Sequence, residues 1–201
     1  MSQAGDSGGK GRSFSDDELQ DLVQQADSGA RTPRSRAVAA LIAGLALAWS
    51  LFQVWIAEPQ FWFGAYVPIL GSEQTRPMHL AFALALAFLA YPAAKTAPRD
   101  RIPVYDWVLA ILGAGCALYV FWFSRELATT ARSGLPTQTQ IWVGAIGILV
   151  LLEASRRSLG PALTVVASIF LAYSFFGQGW LIPDLIAHQG RTFNSIVNTQ
   201  W

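Results

Sequence analysis

Apolar residues along this chain are gathered into long blocks separated by short polar, basic or proline-bearing stretches. Five blocks stand out: AVAALIAGLALAWSLFQVWIA at 37–57, MHLAFALALAFLAYPAA at 78–94, VYDWVLAILGAGCALYVFWF at 104–123, IWVGAIGILVLLEA at 141–154 and PALTVVASIFLAYSFFGQGWLIP at 161–183. A helix needs roughly 20 residues at about 1.5 Å each to cross a hydrocarbon core about 30 Å thick. The second block is short but adequate, and the helix of the fourth is expected to start slightly before Ile141. The pattern predicts an all-α, polytopic membrane protein with about five transmembrane helices across residues 37–183. Buried helices of a soluble domain are the competing explanation, but too little polar surface remains to cover so many all-apolar helices.

The segments outside the blocks are of four kinds. Residues 1–13, MSQAGDSGGKGRS, are rich in Gly and Ser and are expected to be disordered. No apolar segment follows at once, so they do not form a secretory signal peptide. FSDDELQDLVQQAD then predicts a short amphipathic helix at 15–27: Ser15 and Glu18 form a capping box, Phe14 and Leu19 occupy the staple positions, and Leu19, Leu22, Val23 and Ala26 share one face. Such a helix is marginal alone and needs a partner surface or a headgroup layer. SGARTPRSR, 28–36, reads as a basic linker. EPQFWFGAYVPILGSEQTRP, 58–77, is too broken by proline to span. It is placed at the interface, where Trp and Tyr rings favour the headgroup level.

Composition strengthens the membrane reading. Hydrophobic residues make up 53% of the 201 and charged residues only 13%, against about 25% charged in a soluble domain. The formal net charge of +1 gives no reason to expect a nucleic-acid partner. The placement of the basic residues is more informative. Lys10, Arg12, Arg31, Arg34, Arg36, Lys95, Arg99, Arg101, Arg156 and Arg157 flank one side of a five-span arrangement, while only Arg76, Arg125, Arg132 and Arg191 flank the other. The bias predicts a cytoplasmic N-terminus and a C-terminus on the opposite face.

Candidate chemistry is sparse. Glu153 lies one turn before Arg156 and Arg157, at spacings that bring the carboxylate within reach of both guanidinium groups. The arginines sit at a helix C-terminus, where the macrodipole favours cations, and Gly160–Pro161 ends one helix and starts the next. The cluster is expected to be a stop signal with a local ion pair, or a contact with another subunit or a lipid phosphate. His79 opens the second block and is expected to rest at the interface. Asp106 opens the third, close to Arg101, where the helix dipole accounts for a carboxylate. Cys116 reads as a small packing residue. Charged residues are absent from the centres of the first, second and fifth blocks, where an ionisable group would be a functional hypothesis by default. No inverted repeat or broken helix of the carrier type is visible. No catalytic, cofactor-binding or metal-ligating constellation stands out either, so the chain is not expected to be an enzyme. GLALAWS and ILGAGCA carry small residues suited to close helix packing.

Several stretches resemble one family. RPMHLAFALALAFLAYP at 76–92, LYVFWFSRELATTARSGLPTQTQIWVGAIGILVLLEASRRSLGPAL at 118–163, LAYSFFGQGW at 171–180 and LIAHQGRTFNSIVNTQW at 185–201 are similar to the membrane component of tripartite ATP-independent periplasmic (TRAP) transporters. The likeness is greatest to the fused permeases that work with TAXI-type binding proteins. It covers roughly residues 40–201 and leaves out the first 36. It implies a location in the bacterial inner membrane, a periplasmic solute-binding protein as partner, and secondary transport of an organic solute. The chain would correspond to the small, scaffold-like region that supports a large elevator-type subunit. The resemblance implies that the family's ion and substrate sites belong to the large region of the fused pattern, which is not among these 201 residues, so no transport-site residue is carried over.

In the tail, Phe193, Ile196, Val197 and Trp201 fall at helical spacing, predicting an amphipathic segment within 184–201. It reads as the start of a connector cut short, or as a terminus lying flat in the interface. Glu153, Arg156 and Arg157 are therefore candidates for a structural cluster on the cytoplasmic side. The aromatics at 61–66 and the tail from His188 with Arg191 are candidates for contacts on the other side. A membrane-bound assembly protein without a transport role is the alternative from a different class, with helix 15–27 as its docking element.

Overall fold

The computed structural model describes residues 29–57, 70–94, 97–133, 136–176 and 192–200. They contain seven helices and no strand: α1 Arg36–Ala57, α2 Ser72–Ala90, α3 Val104–Trp122, α4 Ser124–Ser133, α5 Gln138–Ser158, α6 Pro161–Phe176 and α7 Phe193–Gln200. The predicted helix 15–27, the aromatics 61–66, His188, Arg191 and Trp201 lie outside the described residues.

Three helices, α1, α3 and α5, are long and apolar enough to cross a membrane. The other two predicted spans differ from expectation for local reasons. Helix α2 begins at Ser72 and ends at Ala90, where 78–94 was expected. Its first turns, Ser72–Arg76, are polar, so the apolar part from Pro77 to Ala90 is only about 20 Å of helix. The C-terminal limit follows from Pro92: Tyr91 takes φ −109° and ψ 127°, the extended geometry imposed on a residue before proline. Part of the expected interfacial stretch is thus helical, with Pro77 inside the helix. Helix α6 is described to Phe176, about 24 Å of apolar helix.

Other helix limits have legible causes. Thr137 and Gln140 form a capping box that starts α5 three residues before Ile141. Leu159 caps its end, Gly160 takes φ +90°, and Pro161 is the first residue of α6. Helix α4, a short amphipathic element after Phe123, was not anticipated from the sequence. Within α6, Ser168 and Ser174 return their hydroxyl protons to the carbonyls of Thr164 and Phe170, at 2.7 and 3.0 Å. An apolar surrounding requires such internal satisfaction.

The long helices run alternately up and down. Arg31, just before α1, reaches the C-terminus of α2, whereas Trp49 further along α1 meets His79 near the start of α2. Arg157 at the end of α5 meets Asp106 at the start of α3. Thr164 near the start of α6 donates to Leu152 O in the last turns of α5, at 3.5 Å. Helix α7 lies back against α5, burying Ile196 and Val197, while Phe193 stacks on Phe175 of α6.

The core is small and lies between α2, α3 and α5: Leu84, Phe88, Leu89, Ala110, Val150 and Ala154. Helices α2 and α3 form the most extensive pair. The face of α3 turned inward carries Asp106, Ala110, Gly113, Cys116 and Ala117, and that of α5 carries Gly144, Gly147, Val150 and Ala154. These small residues let the backbones approach closely. A Cβ at Gly113 would lie 2.9 Å from Val150 Cγ1 and 3.2 Å from Leu84 Cβ, so only glycine fits without movement. The outward faces are the greasy ones: Leu47 and Leu51 of α1, Ile111 of α3, Leu149 of α5 and Ile169 and Phe170 of α6 are all at least 60% exposed. An apolar exterior around a small-residue interior is the pattern of a bundle solvated by lipid.

Candidate functional site

The chemistry of the described chain is concentrated at one end of the bundle, where α2 and α5 end and α3 begins. Two carboxylates and three guanidinium groups form one linear network. Asp106, in the first turn of α3, is fully buried. Arg31 Nη2 donates to its Oδ2, and Arg157 Nη1 donates to its Oδ1 at 2.6 Å. Arg157 Nε donates to Glu153 Oε1 at 2.7 Å. Arg156 closes on Glu153 with two bonds, Nε to Oε2 and Nη2 to Oε1, each 2.7 Å.

Backbone carbonyls extend the network. Arg31 Nη1 donates to Phe88 O at 3.1 Å, and the Arg31 backbone N–H donates to Ala90 O at 2.7 Å. These are carbonyls in the last turn of α2, which lack partners within the helix. Arg156 Nη2 donates to Ala93 O at 2.9 Å. The Arg157 guanidinium also lies 4.9 Å from the centre of the Phe88 ring, a cation–π contact. Four of the five charges match the helix terminus that holds them: Arg31 at the C-terminus of α2, Arg156 and Arg157 at that of α5, and Asp106 at the N-terminus of α3; Glu153, in the last turns of α5, is held by the two arginines instead.

The expected spacing of Glu153 with Arg156 and Arg157 therefore yields the ion pairs foreseen. Asp106 differs from expectation. Its partners are Arg31 and Arg157; no ion pair between Asp106 and Arg101 is formed. Arg31, assigned to a linker, is the residue that sequence reasoning missed. Its side chain is fully buried. Local pattern could not reveal it, because its carboxylate lies 75 positions away. The available signal was that the chain from Arg31 to Arg34 pairs its backbone N–H groups with Ala90, Arg99 and Asp100 carbonyls, a feature of structure rather than of sequence.

His79 occupies a different place, within α2 and facing α1. Trp49 Nε1 donates to His79 Nδ1 at 2.8 Å, so the neutral ring carries its proton on Nε2. Phe52 meets the imidazole edge to face, with centroids 5.2 Å apart, and Phe82 stacks on Trp49. Nearby, a cavity of about 400 Å³ opens between α2, α3, α4, α5 and α7. Glu73 and Arg76 stand in its lining, with apolar walls including Leu80, Val120, Leu127 and Val197. Gln140 also lines it; its Oε1 accepts from Thr137 N, while its buried Nε2 has no partner among the described residues.

No group of three or more His, Cys, Asp or Glu that could hold a metal ion occurs among the described residues. Both oxygens of Asp106 and of Glu153 accept from arginines, although the buried Arg31 Nε has no partner among the described residues, and these links between helix ends suit the network to fixing helix register. Comparison of the chain with protein-family models, with characterised proteins and with solved structures finds no match.

Proposed function

We propose that this chain is the small, scaffold-like membrane part of a TRAP-type solute uptake system in a bacterial inner membrane. It would brace a large elevator-type subunit that carries the solute, and its outer face would help receive a periplasmic binding protein. The observation that carries the scaffold reading is the network Arg31–Asp106–Arg157–Glu153–Arg156, buried at its first three members. It binds the segment before α1 to the ends of α2 and α5 and to the start of α3, which favours one rigid arrangement. The motifs HLAFAL at 79–84, LEASRR at 152–157 and AHQGRTF at 187–193 direct the scaffold reading to the TRAP family.

Two further features support it. The charges in the described helices gather at their ends, and the small-residue interior between them holds no ionised group. A carrier acting alone needs a polar site near the midplane. The apolar faces of α1 and α6, on which no residue is buried, offer long surfaces for lipid and for a second membrane protein. In this reading α1, α2, α3, α5 and α6 are five spans. The N-terminus is cytoplasmic, because the alternating helices bring the arginine-rich segments to the network end.

The test is purification of the chain from its native membranes under mild detergent. A large multi-span protein and a soluble solute-binding protein should be recovered with it or encoded beside it. Recovery without a large permease, and no such gene nearby, would favour a membrane-bound assembly protein. Solute uptake by the purified chain alone in liposomes would defeat the scaffold reading.

A further inference from the structure

The ionic network does not balance. Three guanidinium groups face two carboxylates, so one positive charge is left over. It is exposed at Arg156, whose side chain is 41% accessible while that of Arg157 is 2% accessible. Arg156 commits Nε and Nη2 to Glu153 and to Ala93 O; Nη1 has no partner among the described residues. Among the described residues the same end carries exposed Arg34, Arg36, Arg99 and Arg101 against one further carboxylate, Asp100, which pairs loosely with Arg34 at 3.6 Å.

Arg156 also stands at the head of a groove of about 350 Å³ that runs along α6. Its floor is Pro161, Thr164, Val165, Ser168, Ile169 and Ala172. Those positions recur at three and four residues, so they form one stripe on the helix, and the small side chains of Ser168 and Ala172 leave the stripe concave. The Thr164 and Ser168 hydroxyls are turned to carbonyls of Leu152 and Thr164, which leaves the groove surface apolar. The site thus has a cation at the level where α5 ends and a shallow, open apolar groove leading from it along α6.

We propose that this is a binding site for one anionic phospholipid, with its phosphate on Arg156 Nη1 and an acyl chain lying in the α6 groove. Charge complementarity selects the occupant. A neutral protein helix would fill the groove but leave the extra guanidinium charge uncompensated, whereas an anionic headgroup neutralises it at the depth where lipid phosphates lie. The proposal rests on the membrane location of the chain and stands whether or not the TRAP reading holds.

The experiment uses the full chain in detergent, incubated with equal phosphatidylglycerol and phosphatidylcholine of matched acyl chains, with retained lipid read by native mass spectrometry. One phosphatidylglycerol should be retained in preference. Arg156→Gln should lower the preference by about five-fold, the size expected for one cation beside an anionic headgroup, and Arg156→Lys should restore most of it. Ser168→Phe fills the groove without touching the network and should reduce retention of both lipids. An unchanged preference in Arg156→Gln would overturn the proposal. So would undiminished retention in Ser168→Phe, or displacement by inorganic phosphate as effective as by short-chain phosphatidylglycerol, since either points to a headgroup-only contact. A membrane protein recovered with the wild type but lost in Ser168→Phe, with lipid retention unaltered, would assign the groove to that protein instead.

Discussion

At one end of the bundle five charged side chains close on one another behind Phe88, and both oxygens of Asp106 and of Glu153 have an arginine donor within bonding distance, while the buried Arg31 Nε has no described partner. At the other end α1 and α2 are joined by aromatic contacts and one side-chain hydrogen bond, a cavity of about 400 Å³ remains, and Gln140 Nε2 has no described partner. The difference is one of tolerance. Directional, charge-assisted bonds admit a single register, whereas aromatic surfaces and a cavity can repack. The chain is thus built with one end fixed and one end adaptable, and substitutions should separate the two.

The largest effect is expected from Asp106→Asn. The amide keeps the volume but removes the charge that holds Arg31 and Arg157 together, leaving two buried guanidinium groups facing each other. Breaking a buried pair from one side typically costs about 3–5 kcal/mol. Thermal unfolding in detergent should fall accordingly, and proteolysis should appear around residues 29–35 and 97–103. A stability within about 1 kcal/mol of wild type would remove the rigid end from the comparison.

Between the ends, α3 offers its own contrast. Gly113 is wedged against Val150 and Leu84, whereas Gly115, on the same helix, has nothing within 4 Å of the position of a Cβ. Gly113→Val should destabilise by about 2–3 kcal/mol through overpacking. Gly115→Ala should be neutral or stabilising by up to about 1 kcal/mol, because alanine is the better helix former. Equal effects at the two positions would mean that the α2–α3–α5 contact is looser than the geometry implies.

Much of this was legible in the sequence, and the misses share a cause. The helices at 36–57, 104–122 and 138–158 correspond to the apolar blocks at 37–57, 104–123 and 141–154, because apolar length is a property of consecutive residues. The Glu153–Arg156–Arg157 pairs were found because three- and four-residue spacings are local on a helix. The end of α2 at Ala90 was overrun, although Pro92 marked it, because apolar residues continue past the break. The Asp106–Arg31 bond joins residues 75 apart, and no pattern within a window of chain can show which arginine folds onto which carboxylate. The cavity is likewise a product of how α4 and α7 come to lie against the bundle.

Glu153→Gln tests the solvent-facing margin of the fixed end. Its side chain is 31% accessible, so water can partly replace what the carboxylate supplied. A loss of about 1–2 kcal/mol is expected, less than for Asp106. Topology should be unchanged, because Asp106 still engages Arg31 and Arg157. A reporter at either terminus that inverts on this substitution would show that the network sets orientation as well as register.

The smallest loss of stability should come from the adaptable end. Trp49→Phe keeps a ring to stack on Phe82, now 9° from parallel with centroids 6.5 Å apart, but removes the N–H that reaches His79 Nδ1 at 2.8 Å. One net hydrogen bond is worth about 1 kcal/mol. His79 can then turn toward other partners or water, which a buried group at the other end cannot do. Hydrogen exchange should quicken in the second half of α1 and in the first turns of α2, while the amides of Phe88–Ala90 and Ser155–Ser158 keep their protection. If protection fell at both ends together, the aromatic and ionic ends would be one cooperative unit. The adaptable end would then owe its geometry to the same long-range bonds that fix Arg31, and its weak local contacts would be an effect of that coupling.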